Sequence, residues 1–156
     1  MQTFINLAMD QAKNSNTMHK HGSVLMCKNQ TFTGYNHFSG NSHSGITIHA
    51  EEHAITNFIT WCKVRQYSDS YIRRKLKRSV LFTIRVKDDC IKHSSPCGMC
   101  VKMIQKYEIK HIIYSNQDEV NQSTTLVVKK TRDLPTTEPS SGYRCLERMR
   151  IKIKDV

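Results

Sequence analysis

Apolar residues recur at helical spacing near the start of the chain, where Phe4, Leu7, Ala8 and Ala12 follow Thr3. This predicts an amphipathic helix from residue 3 to about 14, capped by Thr3 and ended by Asn14 to Asn16. Two short β-prone runs, GSVLMC (22–27) and TFTGYN (31–36), flank Lys28, Asn29 and Gln30 and predict an antiparallel hairpin. HFSGNSHSGIT reads as a polar loop. From His49 the helical period returns, with Ala50, Ala54, Ile55, Phe58, Ile59 and Cys62 on one stripe and an end near Val64. YSDSYIRRKLKR (67–78) reads as a short basic helix, and SVLFTIRV (79–86) as a strand covered on both faces. After a polar loop, KDDCIKHSS, Pro96 opens another helix with the two preceding serines as cap candidates. KHIIYS (110–115) and TTLVVKK (124–130) read as strands, and DLPTTEPSSG (133–142) as a linker to a basic tail.

The order helix, hairpin, helix, strand, helix, strand, strand predicts an α/β domain of three layers with a mixed sheet. The segment 79–115 is expected to form a right-handed parallel crossover. A chain of 156 residues is expected to be one domain. Residues 1–132 are read as its catalytic part and 133–156 as a linker and tail packed on the same domain.

With 38% hydrophobic and 24% charged residues the chain is expected to fold. No run approaches the ~20 apolar residues of a membrane span, and Asn6 and Asp10 interrupt any signal-peptide core. The six cysteines, at 27, 62, 90, 97, 100 and 145, lack the pattern of a disulfide framework, so a reducing, cytoplasmic setting is expected. The 24 Lys and Arg against 13 Asp and Glu give +11, which points to anionic partners, phosphates above all.

Two motifs carry chemistry: His49-Ala50-Glu51 and Pro96-Cys97-Gly98-Met99-Cys100, each after a loop and at a predicted helix start. Cys97 and Cys100, three apart, share one helix face and can hold one metal ion. His49 and Glu51, two apart, serve one centre only if it lies off the helix tip. One zinc ion per chain between the two tips takes His49, Cys97 and Cys100 and keeps a fourth position for water. Two thiolates neutralise Zn²⁺, and both helix dipoles favour them. Glu51, not a ligand, is then the group that takes a proton from that water and returns it to the substrate.

H-A-E followed about 45 residues later by P-C-x-x-C resembles the zinc-dependent cytidine and deoxycytidylate deaminase superfamily. The resemblance covers roughly residues 19–115: HKHGSVLMCKNQTFTGYN is similar to that family's first hairpin, IHAEEHAI to its first zinc motif, and SSPCGMCVKMIQKYEIKHIIYS to its second motif and following strand. It implies a mostly five-stranded sheet and zinc on His49, Cys97 and Cys100, with Glu51 as proton shuttle. Asn36 would contact the sugar or base, and the Ala50 N–H would lie beside the pyrimidine carbonyl. Ser95 would border the substrate, and subunits would associate into a homo-oligomer; Tyr114, at a strand end, reads either as a residue lining the substrate cleft or as ordinary core with its hydroxyl at the surface.

The implied reaction is hydrolytic deamination of a cytosine-containing nucleoside or nucleotide, with deoxycytidine monophosphate preferred. The loop before H-A-E holds His43 and no cysteine, whereas deoxycytidylate deaminases often carry extra Cys and His there. Ser95 stands where transfer-RNA adenosine deaminases usually have Glu. A polynucleotide deaminase is the second reading, since Ser94-Ser95-Pro96-Cys97 approaches the S-x-S-P-C of such enzymes. Two further readings are a dithiol oxidoreductase using C-x-x-C, which leaves His49 and Glu51 without a role, and a non-catalytic nucleic-acid-binding protein stabilised by zinc, which leaves Glu51 without one. His53 is expected to pack. Three basic clusters, at 73–78, at Lys129, Lys130 and Arg132, and at 144–154, are read as solvated faces, the alternating tail of the last offering one basic strand face to a phosphate or a nucleic-acid backbone.

Overall fold

The structure, a computed structural model, describes residues 1–39, 47–118, 123–135, 138–140 and 144. Among these residues four helices and eight strands follow one another as α1 (Gln2–Lys13), β1 (Lys20–Cys27), β2 (Gln30–Tyr35), β3 (His37–Phe38), β4 (Thr47–Ile48), α2 (Ala50–Val64), α3 (Asp69–Leu76), β5 (Val80–Lys87), β6 (Cys90–Lys92), α4 (Gly98–Lys106), β7 (His111–Gln117) and β8 (Thr124–Lys130). The main sheet runs β2-β1-β5-β7-β8, with β6 paired to β5. β5 and β7 are parallel, Val80 facing His111 and Thr83 facing Tyr114, and the remaining pairs of this sheet are antiparallel.

The near-continuous apolar runs follow from a sheet with both faces covered. Strand residues alternate between two cores. Leu25, Leu81 and Ile112 point to the face that buries Ile55 and Phe58 of α2, Ile72 and Leu76 of α3 and Ile104 of α4. Val24, Phe82 and Ile113 point to the other, under Ala8 and Ala12 of α1. One helix on one face and three on the other give the three-layer α/β/α arrangement with a mixed sheet.

Two glycines set how closely helices approach. A Cβ on Gly22 would stand 1.8 Å from the Ala8 carbonyl oxygen, and one on Gly34 would stand 2.4 Å from Ala54 N and 2.5 Å from Ala50 O. Gly34 therefore seats the first turn of α2, the end that carries His49 and Glu51, directly on β2.

Several elements differ from the pattern-based expectation. The polar KDDCIKHSS segment contains a hairpin, because Asp88 and Asp89 both adopt positive φ (50° and 57°) and turn the chain back so that Cys90 pairs with Lys87. Part of the polar loop after β2 forms a small second sheet, His37 pairing with Ile48 and Phe38 with Thr47. Pro96 lies before α4, whose N-cap is Cys97, and Met1 rather than Thr3 occupies the N-cap of α1. His43, Tyr143, Cys145 and the tail beyond it lie outside the described residues.

Candidate active site

The first zinc motif sits at the tip of α2. His49 is its N-cap residue in an extended conformation (φ −80°, ψ 155°) and makes no side-chain capping bond, so its imidazole is directed away from its own helix. Cys97 occupies the equivalent place on α4 (φ −73°, ψ 166°), again without capping through its side chain. The two helix starts meet. His49 Nδ1 lies 3.2 Å from Cys100 Sγ and 3.5 Å from Cys97 Sγ.

Buried hydroxyls hold the second motif in place. Ser94 N–H donates to the Ser115 carbonyl at 2.9 Å, and Ser94 Oγ donates to the Thr83 carbonyl at 2.9 Å. Ser115 N–H donates to Ser94 Oγ at 3.0 Å, and Ser115 Oγ donates to the Lys92 carbonyl at 2.6 Å. This network ties the strand-to-helix turn to β5 and β7. Ser94 thus anchors the turn, where pattern alone made it a cap candidate. From the tail, the Glu138 carbonyl accepts the Gly98 N–H at 2.9 Å, and Leu134 is buried in the core beneath α4.

The charge state of the centre is set by proton sharing. Cys97 is drawn down to about 3, chiefly because it accepts a hydrogen bond from Cys100, with His49 as a second donor. His49 is pushed up to about 9 by that same bond to Cys97, while Cys100, donating to Cys97 and buried, is held well above the usual thiol range. Glu51 is 5% exposed, and its burial raises its carboxyl above the ordinary carboxylate value. A buried acid beside an ionisable triad is a pattern found at reaction centres.

The ligand atoms of His49, Cys97 and Cys100 all lie within 4.8 Å of one another. Two thiols and one imidazole at that spacing suit a zinc ion, which binds sulfur at about 2.3 Å and nitrogen at about 2.0–2.1 Å. Binding would release the protons that the three side chains now share.

A cavity of about 340 Å³ opens over the centre, lined by His49, Glu51 and Cys97 and also by Asn36 and Ser95. Asn36 already uses its amide. Its Oδ1 accepts the His21 N–H at 2.7 Å, and its Nδ2 donates to Thr17 Oγ1 at 2.7 Å and to the His19 carbonyl at 2.6 Å. It thereby pins Thr17, His19 and His21, which form part of the wall together with Thr47 and Ser140. Those wall residues carry no motif: Thr17, His19 and His21 are recruited through Asn36, and Thr47 through its pairing with Phe38. Ala50 is fully buried at the first turn of α2, and Tyr114 is 7% exposed within the core, edge-on to His93; neither is among the residues lining the cavity. His53 packs as expected, against Tyr35 and His37 with ring centroids 5.0 and 4.7 Å away.

Among known folds the chain is similar to cytidine deaminase from Burkholderia pseudomallei, at 15% identity and a TM-score of 0.58, over 87% of this chain and 97% of that one. It is likewise similar to cytidine deaminase from Mycobacterium tuberculosis, at 15% identity and a TM-score of 0.56, over 87% and 94% of the two chains. At this identity the likeness concerns the fold. No curated protein matches the chain in sequence. The family described as the cytidine and deoxycytidylate deaminase zinc-binding region does match it, over residues 1–116, a span that takes in both helix tips and the sheet between them. The chain belongs to that family.

Proposed function

We propose that the protein is a zinc-dependent hydrolase that deaminates a cytosine-bearing nucleoside or nucleotide to the uracil form, releasing ammonia. The observation that carries this reading is the buried Glu51 carboxyl in one small cavity with His49 and Cys97, whose donor atoms lie within 4.8 Å of each other and of the Cys100 sulfur. Family membership and the solved cytidine deaminases of the same fold support it.

His49 Nδ1 and the two Sγ atoms would hold one zinc ion. Zinc bound there supplies Lewis acidity that lowers the pKa of water from about 15.7 to ~7. Glu51 carries the protons. Burial raises its carboxyl above the ordinary carboxylate value, so it can accept one proton from the attacking water and deliver it to the ring nitrogen, then take the remaining proton of the new C–OH to the departing amine, which leaves as ammonia as the carbonyl forms. The cavity volume is near the lower end of the ~300–1,000 Å³ typical of small-molecule sites, which favours a single nucleoside or nucleotide over a polymer. Within that class deoxycytidine monophosphate is placed first, from the hydroxyls of Thr17, Thr47 and Ser95 beside His19 on the wall.

Ammonia release is to be measured across cytosine, cytidine, deoxycytidine, their monophosphates and single-stranded DNA. Turnover is expected with the nucleosides or monophosphates. Glu51→Gln should keep one zinc per chain while losing ~10²- to 10⁴-fold in turnover, the usual contribution of a general acid–base group. A zinc-free Glu51→Gln protein would make Glu51 a ligand, and turnover of DNA alone would replace the small-molecule reading.

A further inference from the structure

Two basic clusters that lie some fifty residues apart in the chain meet in space. Arg74, Lys77 and Arg78, at the end of α3 and just after it, come together with Lys110 before β7, with Lys130 at the end of β8 and with Arg132 just beyond it. These six exposed cations line an open groove of about 1250 Å³. The groove shares no lining residue with the cavity over His49 and Glu51. It lies at the other end of α4: Cys97 caps the start of that nine-residue helix, whereas Gln105 and Glu108 reach the groove, a separation of about 13 Å along the axis.

We propose that this groove binds the phosphodiester backbone of a nucleic acid, independently of sequence and away from the reaction centre. The inference goes beyond deamination and does not depend on it.

Charge is the first argument. Lys77 pairs with Glu108 at 3.1 Å and Arg132 with Asp133 at 3.5 Å, but Arg74, Arg78, Lys110 and Lys130 have no ion-pair partner among the described residues. Helix dipoles account for part of the cluster at most. Arg74 lies in the last turn of α3 and Lys77 caps it, whereas Lys110 and Lys130 belong to strand ends and Arg132 to a short 3₁₀ turn (Thr131–Asp133). Size and lining supply the second argument. The volume exceeds the ~300–1,000 Å³ usual for a small ligand, and the wall contains no aromatic side chain on which a single base could stack. Nearby aromatics are already engaged, Tyr71 in part with Arg74 of the groove itself, 5.6 Å from its ring centroid. Tyr71 stacks on Tyr67 with centroids 4.2 Å apart, and Arg65 covers the Trp61 ring at 4.1 Å. A wide, cationic surface without base platforms recognises phosphates rather than bases.

The test uses the full chain and a fluorescein-labelled 30-nucleotide oligothymidylate, followed by anisotropy from 50 to 300 mM salt, with a duplex of equal length as a second probe. Each single-strand phosphate contact contributes a slope of about −0.7 in log affinity against log salt, so three or four contacts predict a slope of about −2 to −3. Arg78→Glu with Lys130→Glu should weaken binding at least tenfold. Lys13→Glu with Lys87→Glu, an equal charge change on α1 and at the far end of β5, should change it less than threefold. Lys110→Gln with Lys130→Gln, a milder pair, should flatten the slope while leaving the thermal midpoint unchanged. A slope no steeper than −0.7, equal losses for the two charge-reversal pairs, or displacement by inorganic triphosphate as effectively as by the oligonucleotide would overturn the proposal. Because the readout is binding, it stands or falls separately from any deaminase assay.

Discussion

His21 shows how much of this site depends on residues that no motif marks. Its ring sits in the cavity wall and its Nδ1–H donates to the His19 carbonyl at 3.0 Å, yet burial, with Arg85 nearby, lowers its pKa from 6.5 to about 4. The folded protein therefore binds this proton less readily than the unfolded chain. Between pH 6.5 and 4 the unfolded state carries the extra proton, and stability falls as the pH falls through that window. The His21 ring should titrate near 4 by NMR, and His21→Gln should flatten the stability profile between pH 6.5 and 4; a ring that titrates near 6.5 would refute the assignment. His49, Glu51, Cys97 and Cys100 were legible as a set because zinc chemistry restricts both residue type and spacing. Asn36 was legible as a residue at the site but not in its present work, since its amide is committed to the backbone and side chains of residues 17–21. Removing it should therefore loosen the cavity wall in addition to any effect on a sugar.

At the scale of elements, the chemistry is positioned by how closely α2 lies on β2, and Gly34 governs that distance. Its missing Cβ would meet backbone atoms of Ala50 and Ala54, which cannot rotate away. Gly34→Ala should cost about 1–3 kcal/mol or more by overpacking and should also lower zinc affinity, because the strain falls on the helix turn that carries His49. Gly22→Ala meets α1 on the opposite face and should destabilise without that loss of affinity. Urea midpoints together with zinc competition by a chelator separate the two, and equal effects on zinc binding would show that α2 does not set the site. The same scale explains which elements the pattern missed. Long strands buried on both faces announce themselves by apolar runs, and helices by their stripe. The β5–β6 hairpin depends on two aspartates in left-handed conformations and a strand of only three residues, while β3 and β4 are two residues each. Such pieces are fixed by tertiary pairing and leave no periodic trace.

For the whole molecule, the distribution of the +11 charge decides how catalysis should respond to salt. If the cations surrounded the cavity, a phosphorylated substrate would be steered by many of them, and screening would slow its capture steeply. The described residues lining the cavity include no Lys or Arg, whereas six cations converge on the groove beyond the far end of α4. A mononucleotide at the cavity therefore meets few cations, Arg85 behind the wall residue His19 (2.9 Å) among them, while a nucleic acid in the groove would neutralise several charges at short range. Turnover of deoxycytidine monophosphate at subsaturating substrate is accordingly expected to fall less than threefold between 50 and 200 mM salt. Over the same interval, four phosphate contacts in the groove would reduce oligonucleotide affinity by about fifty-fold, from a slope near −2.8. Arg78→Glu with Lys130→Glu should leave the salt profile of turnover unchanged even as it abolishes the steep dependence of binding. If instead turnover shows the steep dependence and loses it in that variant, the groove and the cavity handle one continuous substrate, and a polynucleotide would be the molecule deaminated.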